Sequence, residues 1–162
     1  MEPGRRMKMN VRRAEKKDLE AVKNLLSQVL EVHAGIRPDL FISGTRKYTD
    51  EEILAIFADP ETPVFVAEEE GCVLGYCFCA AQTRKSHVFR EAKELYIDDL
   101  CVDEKARGKG VGRTLYEYAD AWAKREGFDW LTLHVWEGND SARAFYEGLG
   151  FGVRMTTMEK RL

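Results

Sequence analysis

Residues 94 to 127 read E-L-Y-I-D-D-L-C-V-D-E-K-A-R-G-K-G-V-G-R-T-L-Y-E-Y-A-D-A-W-A-K-R-E-G. The apolar run from Leu95 to Val102 has the composition of a strand, and a short charged turn follows it. Then come Arg107-Gly108-Lys109-Gly110-Val111-Gly112 and an amphipathic helix, in which Val111, Leu115, Tyr118, Ala119 and Trp122 recur at helical spacing. Lys124 and Arg125 suit the negative end of that helix, and Gly127 is placed to stop it. Strand, glycine loop and helix start together make an anion site. The first turn has free N–H groups and a partial positive charge, and glycines let a phosphate approach the main chain. Arg107, Lys109 and Arg113 add full charges there, and the expected ligand is a pyrophosphate. The plainer alternative is a glycine turn feeding a surface helix, with its cations merely solvated.

Two nucleotide motifs fit this loop poorly. A P-loop needs Gly-Lys followed by Ser or Thr, which is absent here. The dinucleotide fingerprint needs Gly-x-Gly-x-x-Gly, whereas this loop runs Gly-x-Gly-x-Gly and lies two-thirds of the way along the chain.

The pattern that fits is Arg/Gln-x-x-Gly-x-Gly/Ala, filled by Arg107, Gly110 and Gly112. Downstream, Asn139-Asp140-Ser141-Ala142-Arg143-Ala144-Phe145-Tyr146 precedes Leu149-Gly150-Phe151. With both signatures in order, the chain resembles the GNAT superfamily of acetyl-CoA-dependent N-acetyltransferases. The resemblance covers residues 63 to 162 well and the first third in outline. It implies an α/β (α+β) fold: a mixed, largely antiparallel sheet of about seven strands flanked by about four helices, with strands four and five a central parallel pair.

At 162 residues and 44% hydrophobic, the chain suits a single domain spanning 1–162, with residues 1–7 a flexible lead-in. A net charge of −3 gives no case for nucleic acid as a partner. Cys72, Cys77, Cys79 and Cys101 lack zinc-site spacing, so no metal is expected. Reduced, buried thiols imply a reducing compartment. No stretch reaches the ~18 apolar residues of a membrane span, and no signal-peptide core is present. The expectation is a soluble, cytoplasmic protein without a membrane partner.

Along the chain, Lys8 to Arg13 reads as a first strand, and Leu19, Val22, Leu25, Leu26, Val29 and Leu30 as the core stripe of a helix. Gly35 and Pro38 are expected to end that helix near His33. Thr49-Asp50-Glu51-Glu52 opens a second helix that Asp59-Pro60 closes. Pro63–Glu68 and Val73–Gln82 read as a hairpin joined at Glu69-Glu70-Gly71. Glu94–Val102 is the fourth strand and Trp130–Trp136 a central parallel fifth. Asn139 caps a short helix, and Val153–Lys160 should form a closing pair of strands.

The resemblance assigns chemistry to residues. Residues Arg107 to Arg113 (with Gly108, Lys109, Gly110, Val111 and Gly112) would cradle the pyrophosphate of acetyl-CoA. The main chain of Leu100, Cys101 and Val102 would pair with the pantetheine arm as an added strand would, and one N–H there would polarise the thioester carbonyl. Asn139 would bond the pantetheine while capping its helix, and Ala142 would join it in binding the cofactor. Tyr146 takes the general-acid position. A thiol near ~8.5 and a tyrosine near ~10 are matched well enough for proton transfer to the leaving thiolate. The plainer reading of Tyr146 is a tyrosine packed beside Phe145.

The attacking amine must shed a proton, and a carboxylate or a water it holds can take it. Strand alternation puts Asp98 and Asp99 on opposite faces. Tyr96–Val102 resembles the same strand in polyamine-type acetyltransferases, where the first acid of the pair faces the acceptor, so Asp98 is the expected base. Asp99 is expected to pair with a basic group, and Glu94 is a third choice for the base. His33 and the Pro38-Asp39-Leu40-Phe41 stretch lie where relatives line the acceptor cleft; a helix-end histidine capping carbonyls is the plainer alternative. The expected acceptor is a primary amine, of a small cationic molecule or a peptide. Transfer to protein N-termini or lysines, and a non-catalytic acyl-CoA sensor, are the rival readings. Relatives that dimerise through C-terminal strands imply a possible homodimer.

Overall fold

The computed structural model describes residues 8–162, so the expected lead-in, residues 1–7, lies outside the described residues. The elements run β1 (Asn10–Arg13), α1 (Leu19–Ile36), α2 (Asp50–Ala58), β2 (Val64–Glu69), β3 (Cys72–Arg84), β4 (Ala92–Val102), α3 (Val111–Arg125), β5 (Trp130–Leu133) and α4 (Asp140–Gly148). The strands form one sheet in sequence order, antiparallel from β1 to β4 and parallel between β4 and β5.

Strand alternation divides the core into two layers. Phe65, Ala67, Cys77, Cys79, Leu95 and Ile97 face α3, which answers with Val111, Leu115, Ala119 and Ala123. Val64, Val66, Tyr76 and Phe78 face the other way, onto Val22, Leu25 and Leu26 of α1 and Ile53 of α2. Each large side chain fully buried this way contributes about 1.5–3 kcal/mol of transfer free energy. Thr49 caps α2 through a reciprocal capping box with Glu52. Glu70 and Gly71 make the tight link between β2 and β3. At the first strand, Arg12 donates to Asp18 at 2.8 and 2.9 Å and to Glu68 at 2.8 Å, tying β1 to the start of α1 and to β2.

Three expectations need correction. Helix α1 continues through Gly35 to Ile36, because Gly35 keeps helical backbone and Pro38 alone sets the boundary. The sheet has five strands among the described residues, not about seven, and β5 is therefore an edge rather than a central strand. It also stops at Leu133, short of Trp136, and Trp130 is exposed. Residues 153–162 form no closing pair of strands. A hairpin needs a turn, and this stretch has no Gly, Pro, Asn or Asp to make one. The segment is an extended arm held by side chains: Arg154 reaches both Glu94 oxygens at 3.0 Å and lies over the Trp130 ring, and Glu159 takes a 2.5 Å bond from Arg37. Among the described residues, none of the backbone groups of 152–162 is hydrogen-bonded. Val153, Met155 and Met158 are exposed.

Candidate active site

The site begins where two strands part. β4 pairs with β5 only from Glu94↔Trp130 to Ile97↔Leu133, yet β4 runs on to Val102 against β3. The parting coincides with a bulge. On β3, Phe78 opposes Asp99 and Cys79 opposes Ile97, so Asp98 is an extra residue without an opposite number. A bulge adds local twist and re-aims side chains. Beyond it, the outer backbone edge of Leu100, Cys101 and Val102 faces the opening rather than a neighbouring strand.

The bulge also resets the alternation. Leu95 and Ile97 face α3, whereas Asp99 and Cys101 turn to the α1 side. Asp98 accepts from Tyr48 Oη (2.6 Å) and Lys47 Nζ (2.8 Å), and Asp99 accepts from Tyr76 Oη (2.6 Å). Both tyrosines pack on Phe78, at ring distances of 5.8 and 4.8 Å. The two carboxylates therefore share one face, contrary to the alternation expected for a regular strand. Asp99 has a tyrosine partner rather than the basic group expected for it. Burial raises its carboxyl to about 6, against the opposing pull of the Tyr76 hydrogen bond and the Lys47 charge. Burial and the bond to Asp98 push the Tyr48 phenol up.

The glycine loop closes one end of the opening. Asp103 accepts from Lys105 N (2.9 Å) to start the turn, and Arg107 Nε reaches back to the Val102 carbonyl at 3.4 Å. Gly110, at φ 79°, takes the left-handed conformation that the N-cap of α3 requires here. Backbone bonding within the helix starts with Thr114 N to Gly110 O (3.0 Å), so the N–H groups of Val111, Gly112 and Arg113 are first-turn donors. Gly108, Lys109 and Arg107 are exposed beside them. Arg113 is partly neutralised by Glu117 at 3.1 Å. A Cβ on Gly112 would sit 3.4 Å from the Phe145 ring and 3.5 Å from Val102, so α3, α4 and the end of β4 converge at this glycine.

Helix α4 supplies the other wall. Asn139 Oδ1 accepts from Ala142 N at 3.3 Å and caps it. Tyr146 lies between Phe145 and Phe151, at 5.1 and 5.6 Å between ring centres. Burial raises its phenol, with the nearby Cys77, Asp99 and Cys79 adding to the effect. Tyr146 thus comes from the α3 side of the sheet within electrostatic reach of Asp99, which belongs to the α1 side.

Other expected residues are placed differently. Glu94, the third choice for a base, is occupied by Arg154 at 3.0 Å and Arg84 at 3.4 Å and anchors the C-terminal arm. The Cys101 side chain points into the α1 core toward Leu25 O, and burial pushes its thiol up to about 12, which leaves only its main chain for the opening. His33 packs at a tilt against Phe41 (5.2 Å), which meets Trp136 edge-on (5.3 Å). Burial, then the charge of Lys47, lowers the His33 pKa. Arg37 pairs with Asp39 within the loop, at 2.7 and 2.9 Å. Lys47, Tyr48, Tyr76 and His134 carry no signal of a site in the sequence, and Tyr96 marks only its strand there. Tyr96 Oη lies 3.2 Å from His134 Nδ1, just past the end of β5. Their partners lie tens of residues away, and no local pattern marks them.

The sequence pattern of the Acetyltransferase (GNAT) family matches residues 28–151. The chain belongs to that family. It is 30% identical over 144 residues to an uncharacterized N-acetyltransferase, YhfO, of Bacillus subtilis, covering 88% of this chain and 89% of that one. It is 32% identical over 114 residues to the peptidyl-lysine N-acetyltransferase YjaB of Escherichia coli, 70% of this chain and 65% of the other. The solved structure of a mutant BH1408 protein from Bacillus halodurans superposes with a TM-score of 0.90 at 32% identity, covering 94% of this chain and 99% of that one. The chain is therefore an acetyltransferase of the GNAT fold.

Proposed function

We propose that this GNAT acetyltransferase moves the acetyl group of acetyl-CoA to the primary amine of a small cationic molecule by direct attack within a ternary complex. The observation that carries the reading is the parting of β4 from β5 after Ile97, with Asp98 and Asp99 at the bulge beside it and α4, which bears Tyr146, packed against the end of β4 at Gly112.

Acetyl-CoA supplies the activated acyl group. The first-turn N–H groups of α3, with Arg107 and Lys109, bind the pyrophosphate. The outer edge of Leu100, Cys101 and Val102 accepts the amide-rich arm, and Asn139 and Ala142 flank it from α4. An alkyl ammonium, with a pKa near ~10, cannot attack at neutral pH until a proton leaves it. Asp98 holds that ammonium and takes the proton, while Tyr48 orients the carboxylate. Burial keeps Tyr146 protonated, which preserves a proton for the departing thiolate while widening the gap from the ~8.5 of a thiol. His33, Phe41 and Trp136 line the outer acceptor side. Two buried free thiols at Cys77 and Cys79 suit a reducing compartment such as the cytoplasm.

A homodimer follows from unpaired backbone. Among the described residues the arm of 152–162 lacks a strand partner and β5 is an open edge, so the arm of one copy suits the β5 edge of another.

The deciding experiment is acetyl-CoA-dependent thiol release across polyamines, aminoglycosides, amino acids and lysine peptides, with the wild type, Asp98→Asn and Tyr146→Phe. One strong acceptor, lost in both variants, supports reaction and roles together. Coenzyme A binding with no acceptor among the panel rejects the amine class. One feature favours a second reading, transfer to protein lysines: the ammonium already seated at Asp98 belongs to a lysine side chain.

A further inference from the structure

The loop between α1 and α2 places Lys47 against the acceptor side of the opening. Its Nζ lies 2.8 Å from Asp98 Oδ1 and 5.3 Å from the centre of the Tyr48 ring. Its charge also bears on Asp99 and on His33. The loop backbone is fixed beside Asp98, and only the Lys47 side chain, 46% exposed, must swing aside for an external amine to reach that carboxylate. Arg46 bonds the Tyr48 carbonyl at 2.8 Å and pairs with Asp50, and Thr49 caps α2. Other lysines differ in setting: Lys85 pairs with Glu91 and Lys124 with Asp120, on exposed surface.

We propose that Lys47 is itself an acceptor, acetylated in cis on Nζ by the same site. This rests on the acetyl-transfer reading above. Lys47 Nζ loses one proton to Asp98 and attacks the acetyl carbon of acetyl-CoA. A C–N bond forms, the C–S bond breaks, and Tyr146 protonates the departing thiolate. The second proton that leaves the nitrogen restores Tyr146, and the proton on Asp98 passes to water. The products are Nε-acetyl-Lys47, coenzyme A as its thiol, and one proton released. The seat already holds the nucleophile against the proposed base, so no bimolecular encounter with the acceptor is needed.

The test uses the full-length protein with isotopically labelled acetyl-CoA, followed by peptide mass spectrometry over time. Lys47 should label about a hundredfold faster than Lys85 and Lys124, which report simple chemical acetylation. Its rate constant should be independent of protein concentration. Excess free coenzyme A should suppress labelling at Lys47 alone, a control that needs no variant. Tyr146→Phe, checked for folding by circular dichroism, should bring Lys47 down to the level of Lys85. Equal labelling of the three lysines, or a Lys47 preference that survives coenzyme A, would overturn the proposal. So would a rate constant that rises with protein concentration, which would place the transfer between molecules. Amine-panel thiol release in the same preparation separates the two failures. Release without Lys47 labelling rejects only self-acetylation, whereas silence in both together with no coenzyme A binding rejects the acetyl-transfer site.

Discussion

The Asp98–Asp99 pair shows how much of a site one residue can decide. Both acids were visible in the sequence, but the face each occupies was not, because the bulge is a property of the pairing between β3 and β4. Nothing in Tyr96–Val102 alone announces that Asp98 will lack an opposite number. Asp99 offers a direct measurement. Its carboxyl stands at about 6 through burial, above the ordinary 3.8. In the window between those values the folded chain keeps a proton that the unfolded chain has lost. Stability therefore falls as pH rises through the window and is level above it. The difference corresponds to on the order of 1–3 kcal/mol. Urea unfolding at about pH 4.5 and about pH 7 should show the loss in the wild type and a flattened response in Asp99→Asn, whose amide oxygen can still accept from Tyr76. An unchanged slope in the variant would assign the effect to other groups. Tyr146→Phe belongs at the same scale. It should cut kcat by about a hundredfold while coenzyme A affinity stays within about twofold, since it removes an acid but little binding surface. Wild-type turnover would end the general-acid role.

Elements were more legible than pairings. The Thr49 start of α2, the apolar stripe of α1 and the Asn139 cap each encode a helix within a few residues, and α2 and α4 begin at those caps. The glycine loop was legible for the same reason, and it carries a specific cost. Gly110 sits at φ 79° with open space around its Cβ position, so Gly110→Ala meets conformational strain rather than a clash. A loss of about 1–2 kcal/mol is expected, together with weaker coenzyme A binding by calorimetry. Gly112 has ordinary helical backbone but Phe145 at 3.4 Å, so Ala should be accommodated there and Val should push α4 outward. Intact binding in both Gly110→Ala and Gly112→Val would detach the loop from the cofactor. The Arg12 cluster could not be read locally, because it joins residues 12, 18 and 68 across three elements. Arg12→Met leaves the nearly buried Asp18 without its cation. It should lower stability by about 3 kcal/mol in denaturant titrations, and a loss under about 1 kcal/mol would show water replacing the guanidinium.

For the whole molecule, the two-layer sheet with a parallel β4–β5 step was legible from element order, while the last stretch was misread. Residues 153–162 have apolar and polar residues mixed as in a strand, yet a strand is defined by what lies beside it, and among the described residues no strand lies beside these. Deletion of 153–162 should convert the proposed dimer to a monomer in light scattering at micromolar concentration, and a monomeric full-length protein would dispose of arm exchange. The manner in which the arm is held has a further consequence. It is fastened at Arg154 and Glu159 by charges alone, and its main chain carries no bonds of its own among the described residues. Such a chain fits the extended, accessible form that proteases bind. Trypsin should therefore nick the native protein first behind Arg154, Lys160 or Arg161. Salt should hasten the cut by loosening both fastenings, and a second copy laid along the arm should slow it.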